Sequence, residues 1–196
     1  MFDLACIHVN QIYAWNPNFD KNNLTRWQKK KLLVKLRQGY YTFPEYMKKQ
    51  DIGYFFANRM YMPSYISLHT ALSFYGIIPE SVVQITSIST LKTASFKNDF
   101  GEFSYKNVKQ DLFFGYELKT AHNSKSLQFA SPEKAILDLL YLYPFYNSEL
   151  EMLELRFDEE FLQNDLNLEI FHQYLKKFKS KSLESRIGKF LNAYQL

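Results

Sequence analysis

Residues 22–43, NNLTRWQKKKLLVKLRQGYYTF, decide how the amino-terminal part of this chain is read. With successive side chains about 100° apart, Leu24, Trp27 and Gln28 share one side of a helix, and Asn22, Thr25, Arg26, Lys29 and Lys30 share the opposite arc. Lys31 falls toward the packing side, so the helix is expected to end near it. The following runs, Leu33 to Leu36 and Tyr40 to Phe43, have the branched and aromatic bias of paired strands, and Gly39 supplies a backbone free to turn tightly between them. A basic amphipathic helix followed by a β-hairpin wing is the pattern of a winged helix-turn-helix.

Outward from this stretch, Val9 to Trp15 reads as a shorter helix closed by Pro17, and Asp20 or Asn22 can cap the basic helix. Residues 1–49 hold nine Lys and Arg against three acids, a charge of +6, whereas residues 50–196 sum to −2. The positive field therefore belongs to the head. Such a head needs a third helix, and only FDLACI (residues 2–7) is left to supply a shortened one. With the basic helix in a major groove, Asn22, Thr25 and Arg26 are the candidates for base edges, and Lys29, Lys30, Lys35 and Arg37 for phosphates. A merely solvated charged face is the competing reading of Arg26 to Lys31.

From residue 50 the pattern changes to a mixed α+β body. Ile52 to Tyr61 reads as a helix; Pro63 and Ser64 open a turn, and Ile66 to Tyr75 repeats apolar residues at helical spacing until Gly76. VVQITSIST, FGEFSYKNV, FFGYELK and SLQFA read as antiparallel strands of one sheet, broken by Asn98, Gly101 and the polar loop His122 to Lys125. Ser131 as cap and Pro132 at the first helical position start a helix whose Ala135, Ile136, Leu139, Leu140 and Leu142 form a broad apolar stripe, the central packing element of the body. Glu149 to Leu196 reads as two to four tail helices.

The 196 residues are 46% hydrophobic and 18% aromatic, enough for packed interiors throughout. MFDLACIHV lacks a signal-peptide core, and the run Ala135 to Tyr146, interrupted by Asp138 and Pro144, is too short to span a bilayer. A cytoplasmic location is expected. The single cysteine, Cys6, excludes an internal disulfide and a zinc site of paired cysteines.

Catalytic and metal-binding patterns are weak. Ser131 and Lys134 have S-x-x-K spacing, but capping explains the serine better, and neither an S-D-N nor a K-T-G string accompanies it. His8, His69, His122 and His172 are scattered without ligand spacing, and the acids from Glu149 to Glu160 lack the glycine and periodicity of a calcium loop. With no glycine-rich phosphate loop either, neither an enzyme nor a cofactor is expected.

The ordered pieces LRQGYYTF, PSYISLHTALSFYGIIPE, ITSIST, FGYEL and FASPEKAILDLLYL together resemble the AbiEi-type antitoxins, transcriptional regulators of type IV toxin–antitoxin systems, over most of residues 20–145. The resemblance implies a bacterial DNA-binding antitoxin that represses its own operon from double-stranded operator DNA while its body counters a nucleotidyltransferase toxin. It maps the family's recognition helix and wing onto Asn22 to Lys31 and Leu33 to Phe43. The shortened amino terminus and the tail after Tyr146 depart from the pattern, and a homodimer would compensate for a trimmed head. The alternative is a protein-interaction module in which DNA binding is weak or lost.

Overall fold

His8 starts the first helix: its Nδ1 accepts from the Asn10 amide at 3.2 Å, and Gln11 Oε1 accepts the His8 amide at 2.7 Å. This reciprocal cap begins α1 (Val9–Trp15). The computed structural model describes residues 5–49, 51–121 and 125–196; Phe2 to Leu4 of the expected first helix and His122 to Ser124 of the polar loop lie outside the described residues.

The basic helix, α2 (Asn22–Lys29), ends two residues earlier than expected. Lys31 takes a left-handed backbone (φ +55°) while its amide reaches Gln28 O and the Leu32 amide reaches Trp27 O, so the last carbonyls are satisfied by a reversal rather than another turn. Its start also differs: Asn22 is helical, Lys21 holds the cap position without a side-chain bond, and Asp20 Oδ1 accepts the Asn22 amide at 2.9 Å. The hairpin follows as β2 (Val34–Arg37) and β3 (Tyr40–Thr42), with β1 (Ile7–His8) on the far side of β3, in the order β1-β3-β2. Gly39 turns it at φ +83°, a backbone strained for any residue with a side chain, and a Cβ there would press His8 Nε2 at 3.1 Å. Leu24 from α2 buries against Leu33 and Tyr41 in a small core, whereas Ala5 and Leu36 join the large core of the body.

The body comprises α3 (Ile52–Met60), β4 (Ser64–Ile66), α4 (Leu68–Phe74), β5 (Gln84–Ser89), β6 (Ala94–Asn98), β7 (Gly101–Asn107), β8 (Tyr116–Ala121), β9 (Lys125–Ala130) and α5 (Pro132–Leu142). Its sheet is mixed, not antiparallel: the order is β6-β7-β5-β4-β9-β8, with β5/β7 and β4/β9 parallel. The chain reverses from β5 to β6 and again from β6 to β7, so β7 runs with β5; it is β7, not β6, that inserts beside β5. Two strands appear where none was expected. β4 occupies the stretch read as a turn and helix start, and β6 the stretch between two expected strands.

Helix α5 packs against α4 and the tail helices α8 (Leu168–Phe178) and α9 (Lys181–Ala193), and residues from Glu133 to Leu140 are all buried. Ser131 Oγ caps it by accepting the Lys134 amide. The rest of the tail is α6 (Glu149–Leu153) and α7 (Glu159–Asn164). Among the described residues no helix is long and apolar enough to cross a membrane.

Candidate nucleic-acid interface

Leu24 anchors α2 by its buried side chain, and that anchor fixes what the helix presents outward. Asn22, Thr25, Arg26, Lys29 and Lys30 are all exposed. Of these, Arg26 alone makes a side-chain hydrogen bond among the described residues, a long one of 3.5 Å to Asn23 Oδ1, with Asn23 itself part-buried beside it. Gln28 turns inward and donates to Leu24 O at 3.0 Å. Lys35 is exposed on β2, the edge strand of its sheet, so the helix and the strand place six of the seven candidate residues at the surface.

Arg37 is the exception. Its guanidinium donates to Met60 O at 2.7 Å and lies over the rings of Tyr40, Tyr61 and Phe96, at 4.3 Å from the Phe96 centroid. A planar cation with few hydration ties suits such a ring-walled site, and held there it clamps the hairpin to the body instead of meeting phosphate. Asn98, at the end of β6, adds a second clamp by donating to Leu36 O at 3.0 Å.

Between the clamped elements runs a cleft of about 1140 Å³, lined by the end of α2, by β2 and by β6. Lys31 and Lys35 face it from the head and Lys97 from the body, with Asp99 the acid among its lining residues. Sequence reasoning missed Lys97 and Asn98 because β6 itself was not recognised: Phe96 is the only large apolar residue in ASFKN, although exposure does alternate along it. On another side of the head, Ile12, Trp15, Phe19, Trp27, Leu32 and Tyr41 line an apolar groove of about 860 Å³, with Trp15 85% exposed.

The S-x-x-K pair does not converge. Lys134 Nζ is turned from Ser131 to the Asp138 carboxylate and to Tyr65 Oη at 2.9 Å, while Tyr65 and Ser67 donate to Asp138 Oδ2 at 3.0 and 2.8 Å. Burial pushes the Asp138 carboxyl up and the Lys134 ammonium down, and in each case the partner's charge opposes the shift. Burial, with Asp138 adjacent, also holds the Tyr65 phenol well above its ordinary range. Every member of this cluster is shut from solvent, so it serves packing of α5 on β4. No three His, Cys, Asp or Glu side chains among the described residues gather as a metal ion would require.

Compared with known proteins, the chain matches no family model and no curated protein.

Proposed function

We propose that this chain is a DNA-binding transcriptional repressor of winged helix-turn-helix type, acting from the cytoplasm on its own operator, and that it is the antitoxin of a type IV toxin–antitoxin pair. The observation that supports DNA binding best is the exposed face of α2, which carries Asn22, Thr25, Arg26, Lys29 and Lys30 and leads directly into a hairpin. The order β1-β3-β2, with α1 and α2 between β1 and β2, supports the winged-head reading. Short polar side chains at the start of α2 suit base edges, and the cations that follow suit phosphates. One such head offers a single helix to one groove, so two copies on a symmetric site are the natural arrangement. The antitoxin half of the proposal rests on the sequence resemblance alone.

A gel-shift titration with the DNA upstream of its own reading frame tests the repressor. Saturable binding is expected, weakened by Arg26→Ala combined with Lys29→Ala; equal competition by unrelated DNA of the same length would defeat sequence-specific repression.

The apolar groove beside Trp15 favours a second reading, a module that docks a partner protein. Copurification with the product of the adjacent reading frame, unchanged by those two substitutions, is what that reading expects.

A further inference from the structure

We propose that the body contributes to the DNA interface: a stretch of duplex backbone next to the site of α2 seats in the cleft between β2 and β6, held by Lys31 and Lys35 from the head and Lys97 from the body. The inference rests on the DNA-binding reading above and extends it from the head to an element of the body.

Three observations carry it. First, the hairpin turns through Gln38 and Gly39 between strands that end at Arg37 and begin at Tyr40, and Arg37 is held against Met60, Tyr61 and Phe96. A wing so short, with its cation drawn into the body, cannot extend into a neighbouring groove. Across the cleft from that hairpin lies β6. Second, β2 and β6 are edge strands of their respective sheets, so neither sheet places another strand between them. The bond from Asn98 to Leu36 O and the stacking of Arg37 on Phe96 fix one edge against the other, so the backbone spacing of Lys35 and Lys97 is set before any ligand arrives.

Third, the charges complement a polyanion. Lys31, Lys35 and Lys97 line the cleft against Asp99, with Arg37 beside them already tied to Met60 O and the rings. Lys97 also pairs with Glu102 at 2.7 Å, but both side chains are solvent-exposed, at 79% and 42%, and such a pair is easily exchanged for a phosphate contact. Glu102 thus acts as a competitor for Lys97, which gives the proposal an outcome of opposite sign. An acidic partner protein would also meet a positive cleft; its position at the carboxy-terminal end of α2, where Lys31 follows Lys29 and Lys30 in the chain, favours the duplex.

The test is fluorescence anisotropy of a labelled duplex of mixed sequence, titrated over a range of salt concentrations with the full chain. Backbone contacts are blind to sequence, so the operator need not be known. Lys97→Ala should weaken binding and lower the slope of log affinity against log salt by about 0.9, the loss of one phosphate contact, whereas Glu102→Gln should tighten binding. Lys29→Ala with Lys30→Ala serves as the head control. If that control lowers the slope while Lys97→Ala and Glu102→Gln leave affinity and slope unchanged, the body is not part of the interface and DNA binding by α2 stands. If the control also changes nothing, the reading of α2 fails and the cleft proposal falls with it. Tighter binding of an acidic peptide than of the duplex, lost in Lys97→Ala, would overturn the choice of DNA.

Discussion

Lys134 and Asp138 stand one turn apart on α5 and pair Nζ to Oδ1 where solvent reaches neither side chain. Tyr65 and Ser67 complete the ring of partners around the carboxylate, so no lone charge is left in the core. A buried pair of this kind costs desolvation on both sides, and its net contribution is small; losing one member is costly. Asp138→Asn or Lys134→Met should therefore each destabilise by about 3–5 kcal/mol. The double variant should cost less than the sum, because it removes both charges together. Urea unfolding of the three variants reads this directly, and single losses under about 1 kcal/mol would contradict it.

Arg37 and Lys35 lie two residues apart on β2 but face different surroundings, one over rings and the other in water. Arg37→Gln should cost about 1–3 kcal/mol of stability by leaving Met60 O without its donor and three rings without their cation. Lys35→Ala should leave stability within about 0.5 kcal/mol and act on DNA affinity alone. Thermal melts paired with anisotropy separate the two effects, and equal melting temperatures for the two variants would refute the clamp.

Burial lowers the His69 pKa, with Glu80 opposing the shift. A base lowered in the fold favours its neutral form there, so the stability it contributes is present above its unfolded value near 6.5 and is lost as the pH falls below it. Acidification through this window should lower the melting temperature more for the wild type than for His69→Gln, which cannot take up the proton. Identical pH profiles for both proteins would show that His69 is not the group responsible.

The sequence pattern located α1, α2, the hairpin and α5 well because each carries a strong local signal: Pro17 after a short helix, one apolar face on α2, glycine at the turn, and serine followed by proline before α5. The mixed sheet was not legible for a different reason. β4 is three residues long and buried throughout, so it shows no alternation, and the β5/β7 pairing depends on an insertion that no local pattern encodes. At the candidate site, charge and helical spacing identify which α2 side chains face outward. The diversion of Arg37 was hidden because its partners, Met60, Tyr61 and Phe96, lie far along the chain. The same separation concealed Lys97 across the cleft.

The exposed face of α2 is tested most directly by measuring duplex affinity against salt for the wild type and for Arg26→Ala combined with Lys29→Ala. Loss of the Lys29 phosphate contact should reduce the slope of log affinity by about 0.9, and loss of the Arg26 base contact should lower affinity further, while the melting temperature stays unchanged. An unchanged slope and affinity in the double variant would contradict DNA binding through α2.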